Sequence, residues 1–261
     1  MTPKLFIANW KMNPSTNTEA QNFFELYSTL QASGTSDKWS EVVICTPSVY
    51  WNLATDNIVL GAQDVSSRSS GAFTGEISSG MLIENNVKYA LIGHSESRLN
   101  LGYSNEEINS KLKICLEREI IPILCVGYED KHKLRSNSKV AIHSENELID
   151  ELANQILTGL AGINFKGIDP SKWPVIAYEP VWAIGTGVTA DNETIKNITL
   201  SIKQLVLDNL ELGIDSNQLK VLYGGSVKAD NYEELLEIDG LDGLLVGGAS
   251  LQAEQLKKML S

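Results

Sequence analysis

Three ionisable side chains stand at the ends of apolar runs that lie far apart in the sequence. Lys11 follows LFIANW, His94 follows YALIG, and Glu179 follows VIAY and precedes Pro180. A positioned carboxylate can take a proton from a carbon next to a carbonyl, while an imidazole and an ammonium stabilise the oxygen that becomes negative. The three groups could therefore form a site for proton transfer if the fold brings them together.

Taken singly, each of these residues also has an ordinary structural interpretation. Lys11 could extend its ammonium into solvent, His94 could be a hydrogen-bonded core residue, and Glu179 could belong to a loop. Asn9 could cap a turn. Their joint pattern is more informative, because side chains alternate between the two faces of a strand. In each of three predicted strands, one face changes from apolar to polar toward the carboxyl end: Leu5, Ile7, Asn9 and Lys11; Ala90, Ile92, His94 and Glu96; Val175, Ala177 and Glu179.

Short apolar runs rich in β-formers alternate with longer amphipathic stretches along the whole chain. Eight such runs predict strands at 5–11, 42–47, 58–64, 89–96, 121–127, 174–180, 219–226 and 243–250. Strand and helix repeated eight times predict a closed (β/α)₈ barrel, with an open doubly wound sheet as the alternative. No linker composition divides the chain, so we expect one domain over residues 1–261. In a barrel, the strand ends that carry the polar residues meet at one rim.

The clearest helix pattern lies in residues 191–210, where Ile195, Ile198, Ile202 and Leu205 recur at helical spacing. Thr189 and Asp191 are candidates for its amino-terminal cap. The polar segment 128–147 is expected to be a surface loop or disordered, since its charges are typical of a solvated face.

Composition excludes several classes of partner. The 261 residues carry a formal net charge of -12, which argues against nucleic acid and anionic membrane as partners. No apolar run reaches the roughly 18 residues of a membrane span, and the first residues do not resemble a signal peptide. Cys45, Cys115 and Cys125 form no CxxC pair, so we expect reduced thiols and a cytoplasmic protein. The histidines lack metal-ligand spacing, and no metal is expected.

Paired glycines follow the last two predicted strands, in YGGS (223–226) and VGG (246–248). Such pairs let backbone N–H groups approach an anion closely, and barrels often bind phosphate there. The alternative is two ordinary tight turns. GTGVTA (185–190) also matches a dinucleotide-binding pattern, but five residues separate it from Glu179 and it precedes a long helix, which disfavours that interpretation.

These segments together resemble the triosephosphate isomerase family. The likeness covers nearly the whole chain and rests on the following stretches in this order: ANWKMN (8–13), GAQD (61–64), GAFTGE (71–76), IGHSE (92–96), ILCVG (123–127), AYEPVWAIGTG (177–187), YGGS (223–226) and LVGGASL (245–251). The resemblance implies a (β/α)₈ barrel that interconverts dihydroxyacetone phosphate and D-glyceraldehyde 3-phosphate without a cofactor, as an aldose–ketose isomerase of glycolysis and gluconeogenesis.

The same resemblance implies a role for each matching residue. Glu179 is the base, and His94 polarises the carbonyl as a neutral imidazole, for which this family is itself a standard example. His94 also helps to move protons between the two oxygens. Lys11 supplies positive charge and Asn9 a hydrogen bond, while Glu96 orders the site. Backbone N–H groups of Gly185, Ser226, Gly247 and Gly248 are expected to hold the phosphate.

A lid is implied by the chain after Glu179. Its first hinge is Pro180, Val181 and Trp182, its flexible tip is Ala183, Ile184, Gly185, Thr186 and Gly187, and its second hinge is 188–190. Tyr223 and Ser226 are expected to hold the closed lid. Closure would expel water from around Glu179 and make the carboxylate more basic.

Three positions depart from the family pattern. The first of two arginines after the HSE motif is Ser97 here, whereas Arg98 is kept, and two glutamates are replaced by Tyr103 and Tyr128. We interpret Ser97 and Tyr103 as a changed structural interaction, not as damage to the site. The 71–76 loop is expected to dock into a second copy in a homodimer, with packing on its own barrel as the alternative.

Two other functions remain open at this stage. A barrel that binds a phosphate ligand or a protein without catalysis would not need a base such as Glu179. Another phosphosugar enzyme, such as an epimerase or aldolase, would need metal ligands or a lysine that forms a Schiff base.

Overall fold

The computed structural model describes residues 2–33, 37–127, 145–180, 190–209 and 218–261. In these residues eight parallel strands follow one another around a closed barrel in chain order, and the last pairs with the first. The predicted (β/α)₈ barrel is thus confirmed. The strands are β1 (Lys4–Asn9), β2 (Trp39–Thr46), β3 (Val59–Ala62), β4 (Val87–Ile92), β5 (Ile121–Val126), β6 (Val175–Tyr178), β7 (Val221–Tyr223) and β8 (Gly243–Val246).

Helices surround the barrel and follow its strands. They are α1 (Asn17–Ala32), α2 (Ser79–Glu84), α3 (Ser95–Leu101), α4 (Asn105–Glu117), α5 (Glu145–Leu160), α6 (Asn192–Asn209), α7 (Tyr232–Leu236) and α8 (Ala253–Leu260), and short 3₁₀ helices span Ser48–Leu53, Pro170–Lys172 and Gly248–Leu251. The helix predicted at 191–210 is confirmed as α6. Asp191 caps it by accepting the N–H of Thr194 at 2.9 Å, while Thr189 lies outside the described residues.

Side-chain alternation divides each strand between two cores. In β1, Leu5 and Ile7 belong to the cluster inside the barrel, whereas Phe6 and Ala8 pack outward against the helices. The residues of both clusters are buried, and burying a large apolar side chain contributes roughly 1.5–3 kcal/mol. The inner cluster therefore fills the barrel below its polar rim.

The predicted strands extend too far toward their carboxyl ends. The ladders stop at Asn9, Ile92 and Tyr178, so Lys11, His94 and Glu179 lie in the turns beyond them. The predicted face of β4 is also wrong, because Ala90 and Ile92 pack outward while Tyr89 and Leu91 point inward. The stacking predicted for β1 and β6 holds, since Val175 and Ala177 belong to the inner cluster below Glu179.

The structure also bears on the polar segment, on membrane spans and on the cysteines. Most of the polar 128–147 segment lies outside the described residues. In the described ranges, no helix is both long enough and apolar enough to cross a membrane. Cys45, Cys115 and Cys125 are free and buried, and burial raises the pKa of the Cys115 thiol to about 12.

Candidate active site

A cavity of about 860 Å³ opens at the carboxyl ends of the strands. Asn9 and Lys11 enter it from the end of β1, His94 from the end of β4, and Glu179 from the end of β6. The opposite wall comes from the segments that follow β7 and β8: Gly224, Gly225, Ser226, Val227, Lys228, Gly247, Gly248 and Ala249. The rim thus brings together side chains separated by more than 160 residues in sequence.

Glu179 is a buried residue of the cavity lining. Its side chain is 2% exposed, and its Oε1 lies 2.9 Å from Nε2 of His94. Its other oxygen, Oε2, accepts the backbone N–H of Ser95 at 2.9 Å. Burial alone would raise the pKa of this carboxyl, but the contacts with His94, Ser95 and the Lys11 charge outweigh it, so the pKa is lowered. Glu179 is therefore ionised in the resting site.

His94 owes its direction to a break in the backbone. Gly93 has a φ of 70°, in the left-handed region that glycine tolerates, and this turn ends the alternation of β4. A side chain at Gly93 would also meet Ile108, because its Cβ would lie 2.8 Å from Cδ1. His94 consequently points into the cavity, although simple alternation from Ile92 would place it on the helix-covered face.

The imidazole is oriented by the start of α3. His94 is the residue before this helix, and its Nδ1 accepts the N–H of Glu96 at 3.2 Å. The ring proton therefore lies on Nε2, which donates to Glu179. Burial lowers the pKa of His94, but the adjacent carboxylate raises it more while the two groups touch. The N–H of Glu96, which Nδ1 accepts, and the amino terminus of α3 act in the opposite direction and favour the neutral ring.

Lys11 is held in an unusual backbone conformation by two side chains. Its φ is 53°, which a non-glycine residue adopts at a cost of roughly 1–3 kcal/mol. Asn9 Oδ1 accepts its N–H at 3.0 Å, and Gln63 Nε2 donates to its carbonyl oxygen at 2.7 Å. The ammonium pairs with Glu96 Oε1 at 2.5 Å. These contacts direct a cation toward the mouth of the cavity.

The paired glycines give the opposite wall its shape. A Cβ on Gly224 would lie 3.2 Å from Cγ of Glu179, and one on Gly225 would lie 2.2 Å from the hydroxyl of Tyr223. A Cβ on Gly247 would lie 3.4 Å from Cε of Lys11, whereas the space at Gly248 is open. Backbone amides can therefore approach a ligand here, and we call residues 224–226 and 247–248 the glycine cradle.

Comparison with known proteins identifies the family. The family model described as Triosephosphate isomerase matches residues 4–261. A protein named triosephosphate isomerase from Alkaliphilus metalliredigens (strain QYMF) is 38% identical over 97% of this chain and 97% of its own length. Proteins of the same name from Nitratidesulfovibrio vulgaris (strain DP4) and Dictyoglomus turgidum (strain DSM 6724 / Z-1310) are 36% and 39% identical, over 98% and 97% of both chains respectively.

The chain belongs to the triosephosphate isomerase family.

Most of the residues predicted from the triosephosphate isomerase resemblance meet at this one cavity. Asn9, Lys11, His94, Glu179, Ser226, Gly247 and Gly248 all line it. Glu96 stands behind them and contacts Lys11 and His94. Tyr223 is buried, and its hydroxyl accepts the N–H of Ala190 at 3.4 Å. Pro180 is buried next to Glu179, whereas Val181, Trp182, Ala183, Ile184, Gly185, Thr186 and Gly187 lie outside the described residues.

A second charged cluster accounts for one departure from the triosephosphate isomerase pattern. Tyr103 donates its hydroxyl to Asp64 Oδ2 at 2.8 Å, and Lys111 Nζ lies 4.1 Å above the centre of its ring. Lys111 donates to both oxygens of Asp64 at 2.9 Å and to the carbonyl of Val65 at 2.7 Å. The interaction predicted at Tyr103 is therefore a packed network around a buried lysine. Tyr128 lies outside the described residues.

Three functional contacts escaped prediction from the sequence. Ser95 acts through its backbone N–H, which no residue type reveals, and Gln63 reaches Lys11 across 52 positions. Arg98 binds the carbonyl oxygens of Gly93 at 2.7 Å and Cys125 at 3.2 Å, and thereby supports the turn that carries His94. The arginine kept after the HSE motif was the available signal. No group of three or more potential metal ligands is found in the described part of the chain.

Proposed function

We propose that this protein interconverts dihydroxyacetone phosphate and D-glyceraldehyde 3-phosphate at the rim cavity. One observation carries the proposal: a buried carboxylate and an imidazole lie 2.9 Å apart in a cavity that also contains an ammonium and a glycine cradle. The first pair suits proton transfer next to a carbonyl, and the cradle suits a phosphate. Membership of the triosephosphate isomerase family supports the same assignment.

Glu179 is the base of the proposed reaction. It leaves the Ser95 amide and His94 and takes a proton from the substrate carbon next to the carbonyl. The electrons of that C–H bond form the enediolate double bond, and the former carbonyl oxygen becomes negative. Loss of the two stabilising contacts raises the pKa of the carboxyl from its lowered resting value, so the base becomes stronger as it reaches the substrate. His94 then moves a proton between the two oxygens: its Nε2–H protonates the former carbonyl oxygen, and the ring takes the proton of the neighbouring hydroxyl. Return of the first proton from Glu179 to the neighbouring carbon, as that hydroxyl becomes the new carbonyl, completes the isomerisation.

His94 and Lys11 stabilise the negative oxygen in this proposal. The Nε2–H of His94 faces the base in the resting site and is free to donate to the substrate oxygens once Glu179 moves. The Lys11 ammonium supplies a fixed positive charge, and Asn9 holds the peptide that carries it. Donors held in place before the reaction cost little reorganisation when charge develops.

The phosphate is assigned to the glycine cradle. Gly247 precedes the 3₁₀ helix Gly248–Leu251 and Gly248 is its first residue. Ser226 belongs to the facing segment after β7. We also assign Gly185 to phosphate binding and residues 180–187 to a lid, as the family resemblance implies. The contact between Tyr223 and Ala190, at the far hinge, supports a latch for this lid.

A coupled assay tests the proposed function directly. Glyceraldehyde 3-phosphate conversion is followed with a dehydrogenase specific for dihydroxyacetone phosphate, in the presence of a metal chelator. Turnover that survives the chelator is expected, since the proposed chemistry uses only protein side chains. Absence of turnover would reject the isomerase, and turnover that stops with the chelator would favour a metal-dependent phosphosugar enzyme.

We further propose that the protein forms a homodimer through the 71–76 loop. Phe73 and Met81 are 41% and 54% exposed, and Met12 and Val49 are 93% and 70% exposed. The loops after β1, β2 and β3, which carry Met12, Val49 and Phe73, follow neighbouring strands of the barrel. Exposed apolar side chains on adjacent loops are typical of an interface.

Sedimentation measures the assembly. The wild type is expected at twice 28.6 kDa, and Phe73→Asp is expected to shift it toward the monomer. Leu200→Asp is the matched control, because Leu200 is 40% exposed on the surface of α6. A monomeric wild type, or equal dissociation in both variants, would contradict this interface.

We infer a cytoplasmic location from the three free, buried cysteines and the glycolytic role of the proposed reaction. Cell fractionation would test it.

A further inference from the structure

The two halves of the glycine cradle are not joined by the sheet. The pairing of β7 with β8 runs from Leu222 and Gly243 to Tyr223 and Leu244, and the cradle begins one residue beyond it. The backbone N–H of Gly224 donates to the carbonyl of Tyr178 at 2.8 Å, which ties the start of this segment to β6. Side chains connect the residues that follow to the elements after β8.

One of these side chains folds the first segment on itself. Asn231 accepts the N–H of Lys228 at 2.8 Å and donates to the carbonyl of Ser226 at 2.9 Å. Residues 226–231 thus form a compact loop held by its own hydrogen bonds. A bond to this loop from outside would place Ser226, and with it half of the cradle.

Gln255 supplies such a bond from α8. Its Oε1 accepts the N–H of Ala229 at 2.7 Å, near the middle of the loop. Lys228 and Asp230, on either side of Ala229, line the cavity, and so does Gln255. The bond therefore connects α8 to the wall of the proposed substrate site.

Helix α8 is a firm support for this connection. Leu256, Met259 and Leu260 are buried against the barrel, and the 3₁₀ helix directly before α8 is held by the Tyr27 hydroxyl, which donates to Ser250 O at 3.0 Å. That 3₁₀ helix carries Gly248. Gln255 therefore fixes one half of the cradle relative to the element that bears the other half.

We propose that Gln255 is a positioning residue for phosphate, acting through the Ala229 N–H to hold Ser226 opposite Gly247 and Gly248. The proposal rests on the proposed function for its substrate, since the cradle is assigned there to the phosphate group. Gln255 is not required to touch the substrate. Its loss should weaken phosphate binding and leave the proton-transfer groups in place.

Gln255→Met removes the acceptor and keeps the length of the side chain. Gln21→Met is the matched control, because Gln21 is an exposed glutamine on α1 and lies outside the described lining of the cavity. The dissociation constant for inorganic phosphate, KM and kcat are measured for the wild type and both variants, with melting temperatures to compare folding. Exchange of the Ala229 amide hydrogen reports the bond itself.

For Gln255→Met we expect the phosphate dissociation constant and KM to rise about fivefold, the effect of one hydrogen bond, with kcat within about twofold of wild type. Ala229 exchange should accelerate, and Gln21→Met should match wild type. Equal phosphate affinity in the two variants, unchanged exchange at Ala229, or a fall in kcat at constant phosphate affinity would each overturn the proposal. A wild type without isomerase turnover would reject the proposed function, while the phosphate titrations would still test Gln255.

Discussion

Two clusters in this protein contain a buried charged side chain, one around Lys111 and one around Glu179. They differ in whether the charged group faces a cavity. Around Lys111, three N–H bonds are all taken, by the two oxygens of Asp64 and by the carbonyl of Val65, and Tyr103 packs beneath the ammonium. Around Glu179, each carboxylate oxygen has a partner, but the group lines a cavity of about 860 Å³. The first cluster is therefore satisfied by its own side chains and the Val65 carbonyl, whereas the second faces a cavity.

Burial and a shifted pKa do not by themselves mark a catalytic group in this protein. Burial and the neighbouring Asp64 raise the pKa of Tyr103, yet this side chain has a structural role in its network. Glu179 differs because it lines a cavity, together with His94 and Lys11. Mutations can separate the two clusters, since one should control rate and the other stability.

Glu179→Gln should have the largest effect. The amide keeps the size of the side chain but cannot accept the proton, so kcat should fall roughly 10²–10⁴-fold, the usual contribution of a general base. Steady-state kinetics in the coupled assay provide the measurement, and titration with inorganic phosphate provides the control, which should be unchanged. Turnover close to wild type would remove Glu179 from the mechanism.

Glu179→Asp asks whether position matters as much as charge. The carboxylate survives but is withdrawn by about one carbon–carbon bond, and a shift of about 1 Å can cost ~10²-fold in rate. We expect kcat to fall by about this factor, with KM affected much less. A variant as active as wild type would mean that the position of the carboxylate does not limit the rate.

Lys111→Met breaks the structural cluster. Removing one partner of a buried pair costs roughly 3–5 kcal/mol. Because the Asp64 side chain is 32% exposed, we expect a smaller loss, about 2–3 kcal/mol, or roughly 5–10 °C in melting temperature. Thermal unfolding with parallel kinetics checks this, and kcat should change far less than in Glu179→Gln. A large loss of kcat with unchanged stability would reverse the roles of the two clusters.

Tyr103→Phe is the milder companion of that change. It keeps the ring beneath the Lys111 ammonium and removes only the hydroxyl that donates to Asp64, so we expect a loss of about 1 kcal/mol. Chemical denaturation measures it. A loss equal to that of Lys111→Met would show that the hydroxyl, and not the lysine, holds the network together.

The smallest expected effect is a difference in stability between wild type and Glu179→Gln at low pH. Glu179 has a lowered pKa in the folded protein, so its ionisation contributes stability above the unfolded value of about 4.3 and this contribution is lost as pH falls through the folded pKa. Between about pH 5 and 3, wild type should therefore lose more stability than Glu179→Gln. Melting temperatures of both proteins across this range test the sign, and parallel curves would contradict the lowered pKa.

Much of the fold could be predicted because it depends on repetition. Eight apolar runs separated by amphipathic stretches are a local pattern, and Leu5 and Ile7 show the alternation that fills the barrel. The polar residues at the strand ends could be found in the same way. The strand boundaries were less accurate, because a turn such as the one at Lys11 can contain residue types that also suit a strand.

Sequence alone determined the kinds of groups that this protein holds at its rim and the order of the strands that deliver them. Only the tertiary structure decided their directions and partners. Gly93 turns His94 away from the face that its strand predicts, the backbone of Ser95 binds Glu179, and Gln255 reaches Ala229 from another helix. These features depend on single dihedral angles and on contacts between distant segments. Neither produces a periodic pattern of residues in the sequence.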